Sequence, residues 1–80
     1  MLPYEEATEL IERGELVAEL RTEENPEYVI RIRHEGKTYY LLISELAIGN
    51  LVCAYKTKRE AMNKLFMRAK EREAEIMLFE

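Results

Sequence analysis

Apolar and polar positions alternate most regularly in the middle of the chain, in the segments YVIRIRH (28–34) and KTYYLLIS (37–44). The segments flank Glu35-Gly36, a pair that suits a two-residue hairpin turn because glycine adopts positive φ without strain. The predicted cross-strand pairs are His34 with Lys37, Ile32 with Tyr39, Ile30 with Leu41 and Tyr28 with Ile43. These pairs share one face, which is apolar except at the turn. The other face carries Val29, Arg31, Arg33, Thr38, Tyr40 and Leu42.

Near the start of the chain, apolar positions recur at helical spacing. The apolar side chains of residues 4–13 fall on one face of a helix. Pro3 suits its first turn, and Gly14 suits a left-handed residue at its end. Residues 15–22 alternate instead and predict a strand, and residues 23–26 predict a turn. The inward side chains of that strand are expected to be Leu16, Ala18 and Leu20.

The second half of the chain continues with a strand and a helix. Residues 51–56 predict a fourth strand, whereas residues 44–50 fit either the end of the third strand or a helical turn. Thr57 and Glu60 fit a capping box, in which each side chain meets a free backbone N–H at the start of a helix. This helix is expected to end near residues 73–75. Its predicted buried stripe consists of Ala61, Met62, Leu65, Phe66 and Ala69.

Together these elements predict one small α+β domain over residues 1–80: a helix, an antiparallel four-stranded meander and a second helix. Residues 76–79 fit either a short C-terminal edge strand or a tail packed on the core. Both helices are expected to cover the apolar face of the hairpin. The result is a two-layer sandwich in which the face of Arg31 and Tyr40 stays open.

Composition excludes several classes of protein. The chain has 80 residues, of which 48% are hydrophobic, and this fits one globular domain rather than a disordered segment. Its apolar runs are too short to span a bilayer, and the start MLPYEE lacks a basic region and an apolar stretch, so we expect no membrane segment and no signal peptide. The single cysteine cannot form an internal disulfide, which favours a reducing cytoplasm.

The residues that could carry catalysis are few. Cys53 and His34 are the candidate nucleophile and base, but Cys53 is expected near Ser44 or Leu46, on the order of 20 Å along the strands from His34. Cys53 lies in an apolar run and is predicted to be a small core residue. A structural zinc ion needs about four Cys or His ligands, and the three glycines are too far apart for a phosphate loop. We therefore expect no catalytic residue, metal or cofactor, and no enzyme.

Charge is sorted along the chain. Residues 1–24 hold eight glutamates against two arginines, a net charge of −6, whereas residues 56–80 have a net charge of +2 and the whole chain −4. Six of the leading glutamates form what we call the acidic segment: Glu5, Glu6, Glu9, Glu12, Glu15 and Glu19. A row of carboxylates can keep a small domain soluble, or it can imitate a phosphate backbone and dock on a basic groove.

A second candidate surface combines arginine, tyrosine and lysine. Stacked Arg and Tyr side chains on an open sheet bind single-stranded nucleic acid, and they also form cation–π pairs that only stabilise a half-exposed sheet. Basic residues at a helix start add a weak anion site. We call this the basic set: Arg31, Arg33, Tyr40, Lys56, Lys58 and Arg59. A homodimer is a third alternative, because Val29, Tyr40 and Leu42 would present apolar area on an open face.

The layout resembles that of small phage-encoded anti-CRISPR and related anti-defence inhibitors. The resemblance is carried by EEATELIERGE (5–15) followed by YVIRIRHEGKTYYLLIS (28–44) and involves the order of elements, with no shared motif. It implies a single acidic domain without catalytic residues that binds a nuclease or a surveillance complex, often in its nucleic-acid groove. The basic C-terminal third of the chain departs from that pattern.

From these observations we expect a non-enzymatic protein-binding module, a phage or mobile-element inhibitor of a host nucleic-acid-targeting defence complex that binds through the acidic segment. Its location would be the cytoplasm, that of the host for a viral protein. The alternative is a small nucleic-acid-binding module that uses the basic set.

Overall fold

The computed structural model describes residues 9, 11–47 and 49–79. Within them, residues 9 and 11–13 are helical, and we call them the N-terminal helical segment. The remaining elements are β1 (Glu15–Arg21), β2 (Glu27–His34), β3 (Lys37–Leu46), β4 (Gly49–Tyr55), the C-terminal helix (Lys58–Arg72) and β5 (Glu75–Leu78). The strands form one sheet in the order β4-β3-β2-β1-β5, with every neighbouring pair antiparallel. The α+β class, the meander and the C-terminal edge strand are confirmed. Most of the predicted first helix lies outside the described residues.

The central hairpin has the predicted register. His34 pairs with Lys37, and the pairing continues without interruption to Glu27 opposite Ser44. Both turn residues have positive φ, 52° for Glu35 and 78° for Gly36, which is the geometry of the tight hairpin turn that matches strand twist. The ambiguous segment 44–50 is resolved as strand, because β3 runs to Leu46 and β4 begins at Gly49.

The apolar side chains form two clusters, one on each face of the sheet. On one face, Val29 and Leu42 pack with the C-terminal helix, and we call this the helix-covered face. On the other, which we call the isoleucine face, Ile11 of the N-terminal helical segment packs against the cluster. The members of that cluster are Ile30, Ile32, Leu41 and Ile43. The prediction that both helices share the isoleucine face is therefore wrong for the C-terminal helix.

The helix-covered face owes its apolar surface to β1. Leu16 pairs with Ile30 and Ala18 with Val29, so Val17 is an extra residue that forms a β-bulge. The bulge turns the strand, and Val17, Ala18 and Leu20 are all buried, whereas Leu16 is exposed. The prediction that Leu16 faces inward with Ala18 and Leu20 is wrong for this reason. With Val29 and Leu42, these β1 side chains make the surface on which the helix packs.

The C-terminal helix has well-defined ends. The Thr57 hydroxyl accepts a hydrogen bond from the backbone N–H of Glu60 at 3.2 Å, which is the threonine half of the predicted capping box. The same hydroxyl donates to the Glu60 carboxylate at 3.0 Å. At the other end, Glu73 adopts a left-handed conformation and the N–H of Ala74 donates to the carbonyl of Ala69. The chain then leads directly into β5. The predicted buried stripe is wrong at Phe66, which is half exposed, whereas its other four residues are buried.

Gly14 ends the N-terminal helical segment, but not in the expected left-handed conformation, because its φ is not positive. A Cβ at this position would lie 3.0 Å from the side chains of Ile30 and Ile32 and 3.2 Å from the carbonyl oxygen of Arg31. Glycine is required here because the chain passes close to β2.

Candidate interaction surfaces

The acidic segment begins in the N-terminal helical segment. Glu9 lies 3.9 Å from Arg13, and both side chains are 67% exposed. Glu12 is also exposed. An ion pair this open contributes about 0–1 kcal/mol, so the carboxylate of Glu9 stays accessible to a partner. Glu5 and Glu6 lie outside the described residues.

The rest of the acidic segment is divided by the bulge in β1. Glu15 pairs with Arg31 on the helix-covered face, whereas Glu19 pairs with Tyr28 on the isoleucine face. The carboxylate of Glu15 accepts a hydrogen bond from the Arg31 guanidinium, although its side chain is 71% exposed. Glu19 is partly buried. The structure therefore does not bring Glu15 and Glu19 together, and the predicted negative field does not continue along one face.

The basic set is not an open platform. Tyr40 is partly buried against the cluster under the C-terminal helix, and Arg31 is held by Glu15. Arg33 is exposed and donates a hydrogen bond to the Gly36 carbonyl at 3.3 Å. The prediction of a bare Arg and Tyr face is wrong because the helix covers part of it. The predicted homodimer surface on that face is wrong for the same reason, since Val29 and Leu42 are buried under the helix. The other members, Lys56, Lys58 and Arg59, are exposed at the start of that helix.

Tyr55, a residue that sequence analysis missed, extends the cross-strand row formed by Arg31 and Tyr40 of the basic set. Arg31 pairs with Tyr40, and Tyr40 pairs with Tyr55 on β4, so the three side chains are neighbours across three strands. Burial raises the pKa of the Tyr55 phenol, Cys53 and Glu60 raise it further, and Arg68 lowers it. The register of β4 is what brings Tyr55 into the row, and the sequence left that register open.

Next to this row is an open cleft of about 500 Å³. It lies where β2 continues beyond the first residue of β1, since Glu15 opposite Arg31 is the first pair of those strands. The lining residues are Arg13, Glu15, Arg31, Ile32, Arg33 and Thr38. Three guanidinium groups against one carboxylate make this a place where an anion could bind.

A buried carboxylate is the chief feature that sequence analysis missed. Glu27 is 1% exposed. Its Oε1 accepts hydrogen bonds from the Ser44 hydroxyl, at 2.6 Å, and from Nε of Arg68. Its Oε2 accepts one from Nη1 of Arg72 at 3.1 Å. The two arginines come from the C-terminal helix, so this cluster joins that helix to the sheet.

Arg72 also holds the turn between β1 and β2. Its guanidinium donates to the Thr22 hydroxyl at 3.1 Å, to the Asn25 carbonyl at 2.9 Å and to the Glu24 carbonyl. Asn25 has a positive φ of 50°, a conformation that asparagine tolerates better than most residues. Because each of these bonds satisfies a structural group, the cluster around Glu27 is architectural rather than a binding site.

A second carboxylate, Glu45, contributes to a raised pKa of Tyr28 at the border of the isoleucine face. The Tyr28 hydroxyl donates a hydrogen bond to Glu45 at 3.3 Å. Burial raises the pKa of Tyr28, and the negative charge of Glu45 and this hydrogen bond raise it further. Tyr28 therefore remains neutral through the physiological range.

Cys53 and His34 are separated along the sheet. Cys53 pairs with Leu42, not with Ser44 or Leu46 as expected, and His34 pairs with Lys37. The five-residue offset along β3 corresponds to about 17 Å, too far for a base to reach a nucleophile. Cys53 is exposed rather than in the core, because β4 is an outer strand of the sheet.

Across the described ranges, no three His, Cys, Asp or Glu side chains lie close enough together to hold a metal ion. None of the helical stretches in the described part of the chain combines the length and the apolar character needed to cross a bilayer. No protein-family model, curated protein sequence or solved structure matches this chain.

Proposed function

We propose that this protein is a non-enzymatic protein-binding module whose acidic segment docks on a basic groove of its partner. The observation that carries this proposal is the exposure of Glu9, Glu12 and Glu15, three carboxylates spaced along the path from the N-terminal helical segment into β1. In the sequence, Arg13 is the single basic residue between Glu9 and Glu15. A basic partner would therefore meet the carboxylates of Glu9 and Glu12 directly, and that of Glu15 at the border of the arginine-lined cleft.

The ion pairs within this surface do not prevent docking. The pair of Glu9 with Arg13 is 3.9 Å long and solvent-exposed. Breaking this ion pair, so that Glu9 can bind a lysine or arginine of the partner, costs about 1 kcal/mol or less. The Arg31 guanidinium orients the Glu15 carboxylate through Oε2, and the Glu15 side chain is still 71% exposed. An oriented carboxylate loses little conformational entropy when a partner binds.

The partner class follows from the resemblance to anti-CRISPR and other anti-defence inhibitors. A groove that binds nucleic acid is lined with lysine and arginine, and a row of carboxylates competes for such a groove. The proposal is thus that the protein acts in the cytoplasm of a host cell. There it inhibits a nuclease or surveillance complex by occupying part of its nucleic-acid channel.

The test is a charge reversal on the proposed surface. A tagged Glu9→Lys/Glu12→Lys variant should fail to capture the proteins that wild type captures from host lysate, as quantified by mass spectrometry. Both positions are exposed, so the circular-dichroism spectrum and the unfolding midpoint should not change. Capture by wild type should weaken as salt rises, because exposed charges are screened within about 10 Å at 0.1 M salt.

The matched control is Glu71→Lys/Glu73→Lys, which makes the same change in charge at two exposed positions near the end of the C-terminal helix. This variant should capture the same proteins as wild type. Equal loss in both variants would mean that net charge, rather than the acidic segment, controls binding. Unchanged capture by Glu9→Lys/Glu12→Lys would remove the proposal.

The cleft lined by Arg13, Arg31 and Arg33 favours a second candidate function, binding of a single-stranded nucleic acid through its phosphates. This candidate makes the opposite forecast for the same variants. A labelled oligonucleotide should bind wild type more tightly as salt falls, and the charge reversal at Glu9 and Glu12 should strengthen it. No binding at low salt excludes this function.

A further inference from the structure

The outer strand β4, Gly49–Tyr55, exposes an edge with unusual composition. Its sequence GNLVCAY contains no charged residue. Six of its seven residues are exposed, including Leu51 at 52% and Val52 at 37%. Among the described residues β4 has a strand neighbour on one side only, so within that part of the chain its other side offers unpaired backbone N–H and C=O groups over about 20 Å.

The opposite edge of the sheet differs. β5 has four residues and begins with Glu75, and short length and inward or flanking charge are the usual means by which proteins block edge pairing. β4 is longer, with seven residues, and contains neither lysine, glutamate nor proline; its flanking charge begins only at Lys56. An edge of this kind pairs with another strand when a suitable one is available.

We propose that β4 is a dimer interface, in which it pairs antiparallel with β4 of a second copy and joins the two sheets into one. An antiparallel pair of identical strands is two-fold symmetric, so the same patch serves both copies. With the axis at the central residue Val52, the two copies of Val52 face each other, Leu51 faces Cys53, and Asn50 faces Ala54. Every cross-strand pair is then free of charge repulsion.

Charge at the two ends of β4 favours the same orientation. Lys56, Lys58 and Arg59 follow the strand at its Tyr55 end, and Glu45 lies opposite Asn50 at its other end. Antiparallel pairing places the basic end of one copy on the same side as Glu45 of the other, which lies one strand further in on β3, twice per dimer. A parallel arrangement would instead place like charges together, which disfavours it.

The interface also explains why apolar area remains uncovered here. Leu46 at the end of β3 is 39% exposed, and it pairs with Gly49 beside the same edge. In a chain of 80 residues the core is small, and joining two sheets adds buried apolar area at no further cost in chain length. The second copy, rather than a foreign peptide, is the occupant because both the apolar row and the end charges complement themselves.

Sedimentation equilibrium over micromolar to millimolar protein tests this interface. Wild type should approach twice the 9.5 kDa mass of the chain. Val52→Lys puts two ammonium groups opposite each other at the axis, and the dimer dissociation constant should rise about a hundredfold. The control Leu78→Lys makes the same kind of change on the other edge strand, where Leu78 is 60% exposed, and should leave the dimer intact.

Disulfide trapping gives a second measurement that does not depend on the folding of Val52→Lys. In a Val52→Cys/Cys53→Ser chain the two engineered thiols meet at the axis, with Cα atoms about 4.5–5.5 Å apart, within the range for a disulfide. Mild oxidation should give a covalent dimer, whereas Leu78→Cys/Cys53→Ser, whose thiols lie away from the axis, should form no covalent dimer. A monomer at every concentration, a dimer that survives Val52→Lys, or failure of the Val52→Cys/Cys53→Ser chain to cross-link would each overturn the proposal.

Discussion

At the scale of single residues, Glu27 has the most consequential position in this protein. A carboxylate that is 1% exposed needs hydrogen bonds and opposite charge to be tolerated, and Ser44, Arg68 and Arg72 supply them. A pattern in the sequence could have indicated this. Arg68 and Arg72 are spaced i, i+4 on one side of the helix, next to its buried stripe, which is typical of two bases that share an acid on another element.

Replacing Arg72 with alanine should destabilise the fold strongly. Among the described residues, the change leaves Glu27 with Arg68 as its one remaining cationic partner. It also frees the turn residues Thr22, Glu24 and Asn25 from their shared donor. Removing one partner of a buried pair costs about 3–5 kcal/mol. Because Arg72 is 28% exposed, we expect a loss near the lower limit, about 3 kcal/mol, in urea denaturation.

The control for this prediction is Arg59→Ala, because Arg59 is exposed on the first turn of the same helix. Its free energy of unfolding should change by less than about 0.5 kcal/mol. A loss for Arg72→Ala as small as the one expected for Arg59→Ala would show that Glu27 does not depend on Arg72, and that the cluster contributes little to stability.

At the scale of elements, the sequence predicted the structure that neighbouring residues determine. It did not predict the packing that depends on residues far apart in the chain. The hairpin from 28 to 44 was predictable because Glu35-Gly36 fixes its register within a few residues. The face of the sheet that the C-terminal helix covers was not predictable, because it depends on the bulge at Val17, which is more than 40 residues away from the helix in sequence. Binary patterns do not reveal a bulge, since they assume strict alternation.

The start of the C-terminal helix gives an element-scale prediction. Thr57→Ala removes the hydroxyl that accepts from the N–H of Glu60, and loss of such a cap costs about 1 kcal/mol. The midpoint of urea unfolding should fall accordingly, with an unchanged slope. Thr57→Ser keeps the acceptor and should retain most of the stability; if the serine variant loses as much as alanine, the hydroxyl is not the cause.

At the scale of the whole molecule, the candidate surfaces show what the sequence could specify about function. The excess of glutamate before residue 24 was visible in composition, and so was the basic excess after residue 56. Their arrangement was not, because Glu15 and Glu19 point to opposite faces only through the bulge, and the Arg13, Arg31 and Arg33 cleft needs the start of β1 to be placed against β2. The uncharged edge of β4 became evident only once the strand order was known.

The strand order also makes the two ends of the described chain depend on each other. β5 pairs with β1, not with the strand that precedes it in sequence, and the N–H of Phe79 donates to the carbonyl of the bulge residue Val17 at 2.9 Å. Ile76 packs against the cluster on the helix-covered face. The C-terminal strand therefore supports β1 and, through it, the surface on which the helix lies.

A chain truncated after Ala74 should test this dependence. It loses the β1–β5 ladder and the partly buried Ile76, so we expect the free energy of unfolding to fall by about 2–3 kcal/mol. In hydrogen exchange, the amides of Glu19 and Arg21, which the register directs at β5, should lose protection, whereas those in the β2–β3 hairpin keep theirs until global unfolding. The full-length Leu78→Lys variant retains the backbone ladder and should keep its protection in β1. Equal protection of β1 in the truncated and full-length chains would mean that β1 is held by β2 and the C-terminal helix alone.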